Sequence, residues 1–481
     1  MSTVVPVVHC STGPVEGRAV GIATQASAAR LETAAMALLW LGFCATKALS
    51  IWGKSPVYSG DGRIWALIAE APLFSRDFLL PRRPIVLPLL YKLPGLSDQT
   101  LVGLQLALSL LAWGWLAHAL ARLSRGACAI FVFAATLAVA LTTPVHAWDL
   151  VVRAESTSHS LLVLTIAAAI HFLKATAESP RLAYWCAAGT AFFGLCAAFA
   201  RDTNGYVLLL LVGAVVAGVW VSLSSASRAR GQRGAALCGA AIIAAALTLA
   251  SVGSQLQSRA AARYDFPLMN VIFRRVLPDP IKRDYFVREL GMPMSRALMQ
   301  RSHKWASSNR RHAFRAASLQ SFRDWLMRDG YAGYQRYLLV HLGLTMREAY
   351  DQFPMVLGYD TGKTGRSSRT FLSESVDRWL VLGPISLYPA LTCSAIALVC
   401  AAGIGFGRRC DKLLGLLGGF LLVASLCQLY VCFHGDAMEV ARHSVVVGLL
   451  LRVGLVTAFA LLLSAFVRGL ERLRWSRRRM V

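Results

Sequence analysis

The chain has 481 residues, 56% of them hydrophobic and only 16% charged, with a mean hydropathy of +0.52. A soluble chain of that length would carry far more polar surface, so the composition reads as an all-α polytopic membrane protein. The formal net charge of +25 at pH 7 fits basic short loops and a basic tail, and does not call for nucleic acid.

Residues 1–32 are small and mildly polar, lack an apolar core of signal-peptide type, and read as a cytoplasmic tail. Ten runs long enough to cross about 30 Å of hydrocarbon follow. They are Thr33–Ile51, Leu101–Ala121, Ala127–Val145, Ser158–Leu173, Ala183–Ala200, Tyr206–Leu223, Ala235–Gln255, Ser386–Phe406, Leu413–Phe433 and Val445–Val467. The chain thus divides into seven spans over 33–255, which include a first external loop at 52–100, then a loop domain at 256–384. Three more spans at 385–467 and a basic tail at 468–481 complete it.

The short loops with Arg122 and Arg125, Lys174 and Arg181, Arg228, Arg230 and Arg233, and Arg408, Arg409 and Lys412 all fall on one side, together with the C-terminal tail. Short basic loops mark the cytoplasm. Both termini are therefore expected in the cytoplasm, with 52–100 and 256–384 outside; the composition, rich in Ala, Leu and Arg, fits a bacterial inner membrane.

In the first external loop, Asp61-Gly-Arg63-Ile-Trp-Ala-Leu-Ile-Ala-Glu-Ala-Pro72 places Ile64, Trp65, Ile68 and Ala71 on one helical face. That pattern suits a helix lying flat in the interface with Trp65 at headgroup depth. Arg82-Arg83-Pro84 follows, and Ile85–Leu90 is too short and proline-broken to span. The segment 256–384 carries 21 Lys/Arg against 11 Asp/Glu, and Trp305, Trp325 and Trp379 could supply a small helical core. Long loops translocate largely regardless of charge, so this basic domain leaves the topology standing.

Polar residues gather at the outer helix ends: Asp61 and Arg63, then Asp149, Arg153, Glu155, Ser156 and Ser158, then Arg201, Asp202 and Asn204, and last Asp436, Glu439, Arg442 and His443. Ionisable groups at membrane depth are costly and default to function, so these clusters point to a site opening outward. Each has a plainer reading. Asp61 could cap the amphipathic helix, Glu155 with its serines could cap the fourth span, Arg201 and Asp202 could be an adjacent ion pair, and Arg442-His443 could mark the headgroup boundary. Arg452 inside the tenth span should face the bundle interior.

The eleven cysteines show neither a disulfide framework nor metal-ligand spacing. Gly358-Tyr-Asp-Thr-Gly362-Lys363-Thr364 has three residues between its glycines where a phosphate-binding loop needs four. No cofactor is called for, and no metal ligand set is indicated.

With Gly60-Asp61-Gly62, Trp65, Ala66, Ala69 and the Arg82-Arg83-Pro84 turn, the chain resembles the GT-C superfamily of membrane glycosyltransferases. The segments Ala200–Asn204, Asp436–His443 and Arg274–Pro280 add to the likeness, which covers the general plan of the whole chain. Many members pair the loop acid with a neighbouring carboxylate; here Asp61 stands alone between glycines, which disfavours the metal-dependent branch. The resemblance implies an inverting sugar transfer from a polyprenyl-phosphate donor to an envelope glycan, lipid or protein acceptor, with Asp61 as general base. Arg63, Arg82, Arg83, Arg201 and Arg442 would then hold the donor phosphate. Trp65, Phe74 and Ile85–Leu90 would line the prenyl groove; Glu155, Asp202, Asn204, Asp436, Glu439 and His443 are further polar site candidates. Two alternatives remain open: an O-antigen polymerase or ligase, which leans on external Arg and His without a first-loop acid, and a transporter or flippase of lipid-linked sugars.

Overall fold

The computed structural model describes residues 16–58, 62–81, 83–92, 97–224, 230–306, 316–353, 391–396, 398–399, 409–438 and 440–480. Among these the chain is helical, and its one extended pairing is a bridge between Val57 and Val151. Eight helices are long and apolar enough to cross a membrane, and a bent pair makes a ninth. Most of the expected span at Ser386–Phe406 lies outside the described residues, as do Trp379 and the Gly358–Thr364 stretch.

The first half comprises α1 (Glu16–Ile51), α2 (Gly62–Glu70), α3 (Arg76–Leu79), α4 (Val86–Tyr91), α5 (Asp98–Ala121), α6 (Ala127–Leu141) and α7 (Thr143–His146). Then come α8 (Ala154–Ala175), α9 (Pro180–Ala200), α10 (Asn204–Leu223) and α11 (Arg230–Ala260). The segment beyond holds α12 (Asp265–Val271), α13 (Pro280–Arg288), α14 (Arg296–Met299), α15 (Gln320–Trp325), α16 (Tyr331–Val340) and α17 (Leu342–Asp351). The chain closes with α18 (Arg409–Gly435), α19 (Val440–His443) and α20 (Val445–Met480).

Local chemistry sets many of the starts. Ser97 accepts from Thr100 N–H at 3.2 Å to open α5, and Ser179 with Pro180 opens α9. Asp279 accepts from Ile281 and Lys282 N–H at 2.9 and 3.1 Å ahead of α13. Each satisfies an amide that the first helical turn leaves without an intrahelical partner.

Two helix boundaries differ from the sequence reading in kind. The third span does not run straight to Val145: α6 stops at Leu141, and the chain re-enters helix at Thr143 bent by 59°. Thr142 is extended and Pro144 opens the new turn; a proline lacks the N–H that would continue α6. At the chain ends, α1 begins inside the expected tail and α20 runs on through the basic tail to Met480.

Helix α8 is the hub. Its stretch from Ala154 to Ile170 is buried throughout, although composition alone gave it no distinction from its neighbours. Small residues let helices close on it: a Cβ on Gly239 of α11 would lie 2.4 Å from the buried Phe172 ring, and one on Gly218 of α10 would lie 2.7 Å from Leu173. Close backbone approach of this kind drives helix association where no water remains to be expelled.

The helices alternate in direction, so one end of the bundle gathers the basic loops. There Gly126 N–H donates to Glu32 at 3.2 Å, Arg468 pairs with Asp411 at 2.5 Å, and Arg409 donates to the Leu173 carbonyl at 2.6 Å. Segment 256–353 sits at the opposite end. Its core joins Leu268, Phe273, Phe286, Phe322, Trp325 and Tyr334, with Trp325 Nε1 donating to Leu290 O at 2.8 Å. His434 at the end of α18 fastens it to the bundle, facing Thr345 O at 2.9 Å and the Tyr334 hydroxyl at 3.2 Å. A ring that donates through Nε2 to the carbonyl accepts through Nδ1 from the tyrosine.

Candidate functional site

At the end shared with segment 256–353, the first loop meets the second. Val57 N–H donates to Leu150 O and Val152 N–H donates to Val57 O, both at 3.0 Å. Gly62 is close-packed here, since a Cβ on it would lie 3.1 Å from Val152 O. Beneath this junction Lys47 is buried and paired with Asp149 at 2.6 Å. Ser109 accepts from Lys47 at 2.7 Å and Ser156 donates to Asp149 at 2.8 Å. The loops are therefore fixed to the bundle by a satisfied internal ion pair.

A cavity of about 210 Å3 opens beside this junction. Trp65 of α2 and Arg83 line it from the first loop, and Arg153 and Glu155 from the start of α8. Arg201 and Asp202 contribute from the α9–α10 turn, Arg263 from just beyond α11. Cys432, Asp436, Arg442 and His443 close it from α18 and α19. Helix ends from distant parts of the sequence thus converge on one space.

The polar contacts within it are specific. Arg442 Nη1 pairs with Glu155 at 3.2 Å, and Arg201 Nη2 contacts His443 Nδ1 at 2.6 Å. Arg263 pairs with Asp202 at 3.4 Å, and Ser258 and Ser254 donate to that carboxylate at 3.1 and 3.4 Å. Asp436 accepts from Met438 N–H at 2.9 Å and from Asn270 at 3.3 Å. Among the described residues, Arg201 Nη1 and Arg263 Nε and Nη1 are buried without a hydrogen-bond partner.

Burial shapes the titration of the lining. It raises the Asp202 carboxyl above its ordinary value, against the opposing pull of Arg263, and raises Asp436 against its N–H and amide donors. Burial, then the Arg201 and Arg442 charges, hold the His443 ring well below its ordinary value. His443 is therefore neutral at pH 7. Its Nδ1 faces Arg201, while Nε2 lies 3.3 Å from Arg442 Nη2 and 3.9 Å from Asp436 Oδ2; both guanidinium groups only donate, so the neutral ring accepts from one of them. Five arginines against three carboxylates leave the lining with an excess of two positive charges.

The sequence candidates divide clearly. Arg83, Glu155, Arg201, Asp202, Arg442, His443 and Asp436 all line the cavity. Asp61, Arg82 and Glu439, and the Arg63 side chain, lie outside the described residues. Asn204 does not line the cavity: it is fully buried and its amide donates to Ser158 and to Ala197 O, both at 2.9 Å, tying α8 to α9 and α10.

The plainer readings also change. Ser156 does not cap α8 but donates to Asp149, and the cap position Arg153 makes no side-chain cap bond. Arg201 and Asp202 engage different partners across the cavity, and Arg442 and His443 are half-buried against Glu155 and Arg201. Trp65 is buried against Leu87, Leu101 and Val152, so it is part of the cavity wall and not an interfacial anchor. Phe74 is 86% exposed and does not line this cavity. Arg452 is buried, over Gly448.

Arg153 and Arg263 were not singled out in the sequence. Arg153 carried a signal, since it stands in the second polar cluster, but Arg263 is one of 21 basic residues in its segment and nothing local marks it. Among the described residues, no three His, Cys, Asp or Glu side chains gather as a metal site. What the arrangement offers chemically is a preorganised cationic wall, with a neutral histidine and raised carboxyls beside it, in a site partly screened from water. No protein-family model and no curated protein matches this chain.

Proposed function

We propose that this protein is a membrane glycosyltransferase that takes a sugar from a polyprenyl-phosphate donor to an envelope glycan, lipid or protein acceptor on the external face. One observation carries the reading: five arginines from five separate regions surround a single cavity at the polar end of the bundle, and buried N–H groups of two of them, Arg201 and Arg263, have no acceptor among the described residues. Buried donors without acceptors are costly, and a phosphate placed among them would satisfy these groups and the excess positive charge together. Planar guanidinium groups suit a phosphate through paired N–H donors, and they would stabilise the charge that develops on the leaving phosphate.

In this reading Arg83, Arg201, Arg263 and Arg442 hold the donor phosphate, and Glu155 orients Arg442. Asp61, in the first loop just before α2 in sequence, remains the proposed general base. It would take the acceptor proton as the acceptor oxygen or nitrogen attacks the anomeric carbon, with inversion from a single displacement.

Mass spectrometry of envelope glycans and glycolipids tests it in a deletion strain complemented with parent, Asp61→Asn or Arg201→Gln at equal expression. The parent restores the missing sugar and neither variant does. Full restoration by both variants would overturn the proposal.

A second reading rests on the 2.6 Å Arg201–His443 contact: an O-antigen polymerase or ligase would use that arginine and histidine without a first-loop acid. Full activity in Asp61→Asn with loss in Arg201→Gln and His443→Gln selects it.

A further inference from the structure

A second cavity, of about 430 Å3, lies on the other side of the same chain segment. Cys432, Gly435 and Asp436 face the arginine cavity, whereas Phe433, Ala437 and Val440 face the second one. We propose that this second cleft binds an acidic saccharide, the acceptor in the transfer proposed above. It rests on that reading for the acceptor role alone; saccharide binding stands or falls separately.

The lining is what a sugar with an acid group requires. Among the described residues the wall holds two aromatic side chains, Trp305 and Phe433, and no long aliphatic one. A lipid tail would find little to pack against. Arg274, Arg275 and Lys282 outnumber Glu348 and Asp351, leaving one positive charge in excess.

The cations are also held in place. Arg274 stacks on the Trp305 indole at 4.4 Å and donates to His303 O. Arg275 stacks on Phe433 at 3.7 Å and donates to Phe433 O. Lys282 pairs with Glu348 at 2.6 Å. Each arginine spends one N–H on the protein and keeps its ring stack, so its orientation is fixed before a ligand arrives. An acid group on the saccharide would meet these guanidinium groups, and Asp351 and Gln352 would meet its hydroxyls. Such a saccharide would lie across residues 432–440 from the phosphate-binding cavity; in the acceptor role it would extend past that segment to bring a hydroxyl to the anomeric carbon.

Calorimetric titration of the full-length protein in neutral nanodiscs, at physiological ionic strength, tests this. The probes are tetragalacturonate, as an acidic oligosaccharide, and maltotetraose, as a neutral one. Tetragalacturonate binds and maltotetraose binds at least roughly tenfold more weakly. Arg274→Gln and Trp305→Ala each lower tetragalacturonate affinity by roughly tenfold or more, the scale of one lost charge-assisted contact. Arg288→Gln, an exposed arginine outside the cleft, leaves it unchanged. Trp305→Phe keeps a ring at the site and provides a fold-preserving second variant, with an intermediate loss.

Equal binding of the two oligosaccharides overturns the proposal, as does no binding of either. So does an equal loss in Arg288→Gln, which would mean general electrostatic attraction, or parent-like binding by Arg274→Gln and both Trp305 variants. Farnesyl phosphate separates the two readings, because its binding should depend on Arg201 and not on Arg274. Loss of the farnesyl phosphate result with tetragalacturonate binding intact removes the donor assignment and leaves the saccharide cleft.

Discussion

Replacing Lys47 by methionine keeps the side chain's length and removes its charge. In the parent, Lys47 and Asp149 are 1% and 3% exposed and 2.6 Å apart. Lys47 also donates to Ser109, while Ser156 donates to Asp149. The variant leaves the buried Asp149 carboxylate without its cation, the Ser156 hydroxyl still donating to it. Stranding one partner of a buried pair costs roughly 3–5 kcal/mol, whereas replacing both partners with neutral groups of similar size costs far less. Lys47→Met should therefore lower the unfolding free energy by that amount, and Lys47→Met with Asp149→Asn should recover most of it. Denaturant titration of the purified protein in detergent, set out as a double-mutant cycle, reads the coupling directly. If the single and double variants are equally destabilised, or if Lys47→Met costs less than about 1 kcal/mol, then the pair does not hold the loops to the bundle.

Other outcomes follow from packing and charge. Gly239→Ala presses a methyl into the buried Phe172 ring and should cost roughly 1–3 kcal/mol; Gly213→Ala on α10 meets nothing within 4 Å and should be neutral or stabilising, so equal effects in the same titration would refute the close α8–α11 approach. His443 has a depressed value in the folded protein, from burial and then Arg201 and Arg442, against an ordinary 6.5. The unfolded chain then binds the extra proton, so His443's contribution is complete above pH 6.5 and is lost as pH falls below it, by at most about 1.4 kcal/mol per pH unit. His443→Gln should flatten that decline relative to the parent, and an unchanged slope would show that the ring is not buried beside the arginines. Arg442→Gln leaves Glu155 without its 3.2 Å partner, so adding Glu155→Gln should restore stability without restoring envelope sugar transfer; restored transfer would exclude Arg442 from the donor site.

Hydropathy and basic loops were enough to mark the eight long apolar helices seen among the described residues and to group polar residues at one end of the bundle, because both signals are written in single runs of residues. That is how Arg201, Asp202, Asp436, Arg442 and His443 could be grouped before any geometry was known. The bend at Thr142 was also present in the sequence as Pro144, yet the apolar run masked it.

Pairing was a different matter. Arg201 might have met its neighbour Asp202; only packing of α9 against the end of α18 gave it His443 and left Asp202 to Arg263. Trp65 has the amphipathic spacing of an interfacial helix, and only the tertiary structure turned it into a cavity wall against Leu101 and Val152. Asn204 stood in the third polar cluster, and only packing showed its amide tying α8 to α9 and α10. The physical reason is the same in each case: hydrophobic length is a local property of the chain, whereas the partner of a buried charge is decided by which helix ends the fold brings within a few ångströms.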